Sequence, residues 1–393
     1  MLLEWRSKGA MSKNASVMKT LTRRNFVAGA SAATLTLAAA RSFGGGSHMR
    51  VLVTSGTENG ILAYDWDGAT GKLTPAGVAA KVSTVDWITF SPDKKYLYAA
   101  CELDSFRGKP TGEVASFAWK DGKLHPHSAQ NSVSKGTCHV AVDRTGRVLL
   151  SADYGGGSAA SYRVSDGKLS EAVWKEHYTE HGPNKDRQEA AHAHFCSFSP
   201  DNMYAYVNDL GGDVIHIYML NAETAELTPA GTYHGRPGSG CRTLRFHPNG
   251  HTAYCMNELA STVDVLEWRR RDGLLKRVAT VELLPEGYHG PTRGCDTVIT
   301  KDGRFVYFAN RDNNFLASYK CDPKTGALTF MARSNCGGKI PRSFTLDPTE
   351  HWILVANQDS NLVSVFARNT ETGVLANEGK SVAAAMPMCI LFT

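Results

Sequence analysis

The chain has 393 residues, 42% hydrophobic and 21% charged, an ordinary globular composition that allows a large buried core and excludes wholesale disorder. The net charge of +5 is spread along the sequence, and its longest run of like charge, Arg269-Arg270-Arg271, precedes an Asp272-Gly273 turn, so no nucleic-acid partner is expected. Nine cysteines without any C-x-x-C spacing exclude a zinc ribbon and a dense disulfide framework, and read as small apolar residues in strands.

The first segment differs in kind from the rest. Thr22-Arg23-Arg24-Asn25-Phe26-Val27 precedes an apolar stretch from Ala28 to Ala40, which is too short to span a bilayer and carries paired arginines in front and small residues behind. This resembles a twin-arginine export signal. The expectation is a signal and flexible joint over 1–49, recognised by the twin-arginine (Tat) export machinery in the precursor, and a mature domain over 50–393 that is periplasmic or extracellular. Were the segment not a working signal, the protein would stay in the cytoplasm. No other stretch reaches membrane-spanning length, so the mature form is expected to have no membrane partner.

From residue 50 onward a unit of about fifty residues recurs. Its copies read ITFSPDKKYLYAACE, VAVDRTGRVLLSADY, CSFSPDNMYAYVNDL, LRFHPNGHTAYCMNE, VITKDGRFVYFANRD and FTLDPTEHWILVANQ, starting near Ile88, Val140, Cys196, Leu244, Val298 and Phe344. Apolar residues alternate with small or polar ones over short runs, and Pro, Asp, Asn and Gly mark the turns, as in hairpin-linked strands. A further strand follows each copy and ends in a hairpin turn such as Asp166-Gly167, leading into an outer strand. Arg50–Thr54 with Ile61–Trp66 at one end, and Met386–Phe392 at the other, supply a seventh unit. The pattern predicts an all-β, seven-bladed β-propeller of four-stranded antiparallel blades, its ring closed by the N- and C-terminal strands, which leaves no open sheet edge.

Polar side chains from several blades converge on the axial channel of such a ring, so a site is sought there. His192 and His194 in Ala191-His192-Ala193-His194 suit a strand face, where they could serve acid/base chemistry, a metal or packing alone. Arg242 and Glu258 fall one strand apart, as an anion-binding fork with a proton-handling carboxylate or as an inter-strand ion pair. Arg293, Arg311 and Arg342 occupy comparable turns, and several arginines in one channel call for an anion. The run Tyr154-Gly155-Gly156-Gly157-Ser158 opens no helix and reads as a tight turn rather than a phosphate loop.

The stretches SADYGGGSAASY, HAHFCSFSPD with YVNDLGGDVIHIY, FHPNGHTAYCMNELASTVDVL and VANQDSNLVSVF resemble the β-propeller lactonase family, with its propeller-type 6-phosphogluconolactonases and carboxy-muconate lactonizing enzymes. The resemblance covers Arg50 to Thr393. It implies catalytic His194, Arg242, Glu258 and Arg311; His192, Arg293, Asp296 and Arg342 are the further candidates for binding substrate, and no metal or cofactor is expected. The chain departs from the family at Asp153-Tyr154-Gly155, Cys241-Arg242-Thr243 and Asp296, where a Glu is usual. The implied partner is a small-molecule lactone or organic acid. The implied activity is metal-free acid/base hydrolysis of a sugar-acid lactone, 6-phosphorylated or, for an exported member, an unphosphorylated aldonolactone. A lactonizing cycloisomerase using the same residues, and a non-catalytic ligand- or protein-binding propeller, are the alternatives.

Overall fold

The computed structural model describes residues 49–393, so the export segment lies outside the described residues. Seven four-stranded antiparallel sheets form the blades. Blade 1 is composite, with the order Pro387–Phe392, Arg50–Ser55, Ile61–Asp67, Lys72–Ala80 from the innermost strand outward. Pairing of Val51 with Phe392, Leu52 with Leu391 and Val53 with Ile390 closes the ring, as the remainders at the two ends of the sequence predicted. The other blades run outward in chain order, for example Val85–Phe90, Tyr96–Cys101, Glu113–Lys120, Lys123–Asn131 in blade 2. Among the described residues the sole helical element is a single turn, Gln358–Ser360, and no helix is long and apolar enough to cross a membrane.

Burial follows the sequence pattern of each strand. Second strands such as Val148–Asp153, Thr252–Asn257 and Phe305–Asn310 are buried at every position because a neighbouring blade covers each face. Outer strands such as Lys168–His177 alternate and face solvent on one side. Seven apolar clusters form the core, each at a junction between adjacent blades. Polar ties cross the junctions too: Tyr206, Tyr254 and Tyr307 donate their hydroxyls to the turn carbonyls of Gly273, Gly326 and Gly373 in the next blade, each at 2.8 Å. All nine cysteines are buried and free, as small apolar residues would be.

The innermost strands begin at Val85, Thr137, Ala193, Cys241, Gly294 and Pro341, three or four residues ahead of the recurring sequence unit. The added residues carry a β-bulge. Val85 pairs with Cys101 and Trp87 with Ala100, which leaves Asp86 unpaired, and the same skip leaves Cys138, His194, Arg242 and Arg342 unpaired in their blades. An extra residue in one strand bends the chain and re-aims its side chain. Here it points residues of successive blades into the end of the channel.

Candidate active site

Two rings of side chains meet at that end. The bulged residues form the lower ring, where Asp86, Cys138, His194, Arg242, Cys295, Arg342 and Met388 line a cavity of only about 20 Å³, room for one water. The upper ring is the residue after each second strand, including Glu102, Tyr154, Glu258 and Arg311. One backbone bond recurs in all blades: the upper residue donates its N–H to the carbonyl two residues before the bulge. Glu102 reaches Thr84 (2.8 Å), Tyr154 reaches Gly136 (2.7 Å), Glu258 reaches Gly240 (2.7 Å) and Arg311 reaches Arg293 (2.9 Å). Gly240 is a glycine of necessity, since its φ is +71° and a Cβ there would stand 2.7 Å from Leu259 Cγ.

Glu258 is the centre of charge. Arg187 Nη2 donates to Oε1 at 2.7 Å, Arg242 Nη1 donates to Oε2 at 3.3 Å, and Arg311 Nη2 lies 2.6 Å from Oε2. Arg311 Nη2 is not aligned as a hydrogen bond, and Arg311 Nε has no hydrogen-bond partner among the described residues although the side chain is buried. Burial alone would raise the Glu258 carboxyl, but Arg311, Arg242, His194 and Arg187 outweigh it and hold the group well below the usual carboxylate range. Glu258 is therefore a fixed anion, and three guanidinium groups around one carboxylate leave net positive charge.

Arg242 is held from below by its Nε bond to Cys295 O at 2.9 Å, and its Nη1 abuts His194 Nε2, which accepts. Burial, reinforced by Arg242, keeps the His194 ring well below the usual imidazole range and so neutral. His192 lies just outside the strand, stacked on Tyr154 at 4.4 Å, with Nδ1 on Tyr154 O (2.9 Å) and Nε2 on Glu189 Oε1 (3.2 Å). Tyr154 meets His194 edge-on and accepts from Arg187 Nη2 at 3.1 Å. Arg187 comes from the connection over 178–192, anchored by fully buried Gln188, whose Nε2 donates to Leu210 O at 2.9 Å.

Across the ring, Asp86 accepts from Arg342 Nη2 at 3.1 and 3.2 Å. Above them stands Glu102, partly buried, with no hydrogen bond or ion pair to its carboxylate among the described residues. Burial pushes the Glu102 carboxyl up to about 7, the Asp86 charge adds to the rise, and Arg342 opposes it. One carboxylate of the site is thus locked as an anion and the other is poised to exchange a proton near neutrality.

Residues 50–392 match the family described as Lactonase, 7-bladed beta-propeller. The chain belongs to this propeller lactonase family. A 6-phosphogluconolactonase of Bacillus subtilis is 30% identical over 340 residues, covering 86% of this chain and 96% of the relative. Another, of Formosa agariphila, is 30% identical over 324 residues, covering 80% of this chain and 90% of the relative. The structure of the periplasmic gluconolactonase of Pseudomonas aeruginosa superposes with a TM-score of 0.83 at 32% identity, covering 88% of this chain and 99% of that one.

In this lactonase-family site the structure brings His194, Arg242, Glu258 and Arg311 together as the residues implied by the resemblance, with His192 and Arg342 at its edge. Arg293 sits at the rim, forked onto Asp312 at 2.9, 3.0 and 2.5 Å. Asp296 lines the same small cavity from its lower side, where it accepts from Arg245 Nη2 at 3.3 Å. There Trp87, His139 and Phe195 stack with ring centroids 4.7 and 3.9 Å apart, and Arg245 lies over Phe195, forming a floor. The clefts beyond are larger, 460 and 340 Å³, but their charged lining is Arg144, Arg245 and Asp296, with no carboxylate–arginine cluster like that of Glu258. Glu102, Asp86, Tyr154 and Arg187 are the site members that the sequence reading missed. The end of the copy YLYAACE was a usable sign of Glu102, because it aligns with the end of TAYCMNE, which is Glu258.

Proposed function

We propose that the protein hydrolyses an unphosphorylated sugar-acid lactone in the periplasm. The observation that carries the reading is the excess of guanidinium charge around Glu258, with Arg311 Nε unpartnered, which fits an oxyanion forming on the lactone carbonyl. Glu102 takes a proton from water as the water attacks the carbonyl carbon. Arg242 and Arg311 hold the tetrahedral oxyanion, and the proton passes from Glu102 to the ring oxygen as the C–O bond breaks. The products are the open hydroxy acid and, at neutral pH, its released proton. Glu258 holds the arginines in register rather than moving a proton, and neutral His194 orients Arg242.

Support for the compartment comes from the Thr22–Val27 motif and the likeness to a periplasmic gluconolactonase. Support for an unphosphorylated substrate comes from Arg293, the arginine at the rim, which Asp312 already neutralises. The test is acid release from glucono-δ-lactone and its 6-phosphate, measured with a pH indicator and corrected for spontaneous opening. Faster turnover of the unphosphorylated lactone bears the reading out, whereas preference for the phosphate ester or no acceleration of either overturns it.

A further inference from the structure

Behind the Tyr154–His192 wall of the site is a second group of ligating side chains. Asp209, at the end of Tyr204–Asp209, is fully buried, and its Oδ1 accepts from the backbone N–H groups of His192 (2.6 Å) and Gly211 (2.9 Å). Its Oδ2 has no hydrogen-bond partner among the described residues, and neither does the buried Nε2 of His216 on the adjoining strand Val214–Leu220. Glu180, exposed at the start of the 178–192 connection, completes the group, and one ligand atom from each of the three lies within 4.8 Å of the others. Neither carboxylate has a Lys or Arg ion pair among the described residues.

A buried carboxylate oxygen and a buried imidazole nitrogen without partners are each costly unless a cation or donor joins them. The surrounding structure holds both in place. The His216 ring stacks on Tyr178 at 4.0 Å, and Tyr178 is tied through its hydroxyl to Tyr218 at 3.0 Å. The two backbone donors fix Asp209 by the oxygen that does not face the group, as outer-shell partners fix metal ligands. Burial keeps the His216 imidazole low, at about 4, hence in its neutral ligating form. Two carboxylate oxygens and one imidazole, with a fourth position facing solvent, suit a divalent transition ion. Its ligand atoms stand about 3.4 Å apart in a tetrahedral shell, a distance the exposed Glu180 reaches by a rotamer change.

We propose that Glu180, Asp209 and His216 bind one divalent transition-metal ion, Zn²⁺ as the probe, which fastens the 178–192 connection to blade 4. That connection carries Arg187 to Glu258, so the ion steadies the arginine from a site of its own. The inference stands apart from the lactonase reading, because binding is measured without turnover. Chelator-stripped full-length protein is titrated with Zn²⁺ by calorimetry and melted with and without the metal. The expected result is one Zn²⁺ per chain with a raised Tm, and an affinity at least about tenfold weaker in both Glu180→Gln and His216→Gln. Glu180 is exposed, so its variant folds and decides the matter if the His216 variant does not. Failure of the wild type to bind Zn²⁺, or equal affinity in Glu180→Gln, overturns the proposal.

Discussion

Replacing Glu102 with Gln removes both its titrating proton and its charge while nearly keeping its shape. The carboxyl titrates at about 7 in the folded protein and near 4.5 in a free chain. Between those values the folded form keeps a proton that the unfolded form has lost, so stability falls as pH rises through the window and stays lower above it. At about 1.4 kcal/mol per pH unit the full effect is about 3 kcal/mol, and screening at a partly exposed group brings it to about 1–2 kcal/mol. Glu102→Gln should therefore melt higher than wild type at pH 8 and alike at pH 4.5. Its turnover should fall by about 10²–10⁴ across pH 5.5–8, the usual worth of a general base, while the wild-type rate climbs to a plateau above pH 7. Asp86→Asn removes a charge that raises this carboxyl and should move the climb to lower pH. Initial rates of acid release and melting curves on one pH series measure all three. A Gln variant with the wild-type rate and profile would refute Glu102 as the base and leave the proton to Glu258.

Four further substitutions test the arginines. Arg311→Met should lower kcat/KM by about 10²–10³, as for loss of one oxyanion donor, with Arg311→Lys recovering only part; an undiminished rate removes Arg311 from the transition state. Arg187→Ala should raise KM about tenfold by losing charge-assisted bonds, with Tm little changed because the side chain is a third exposed; an unaltered KM would place the 178–192 connection outside the site. Asp312→Asn frees Arg293 and should raise the kcat/KM ratio of 6-phosphorylated over unphosphorylated lactone about fivefold, roughly 1 kcal/mol; a constant ratio means that Arg293 does not meet the sugar's far end.

The blades were legible in the sequence because alternation and turn residues are requirements of the strands themselves. Arg50–Thr54 with Ile61–Trp66 and Met386–Phe392 were assigned to one unit because each is a remainder left outside the six full copies, and Arg50–Ser55 indeed pairs with Pro387–Phe392. The lower ring was legible only in part: His194, Arg242 and Arg342 stood out by residue type, whereas Asp86, Cys138 and Met388 did not. The unit is read from Ile88, Val140 or Cys196 onward, and Asp86, Cys138 and His194 fall just before it. A bulged residue makes no ladder pair, so the fold places no demand on its type and no pattern marks it. Arg187 was missed because it acts from a connection of no regular structure, where only three-dimensional placement shows that it reaches Glu258.

The same separation explains how one backbone can serve different lactones. The bond from each upper residue to the carbonyl below it is made by main-chain atoms alone, so it survives any change of side chain in the rings. At three of the lower partners that are not glycine the chain accepts strain to keep it: Thr84, Ile340 and Met386 adopt φ of 50°, 56° and 41°, a region that costs L-residues about 1–2 kcal/mol. Thr84 carries the carbonyl under Glu102, so strain is stored beneath the residue assigned to proton transfer. Likeness at about 30% identity thus bears on this backbone, while in the proposed mechanism the charges of Glu102, Asp86, Arg293 and Asp312 set which lactone is opened and at what pH.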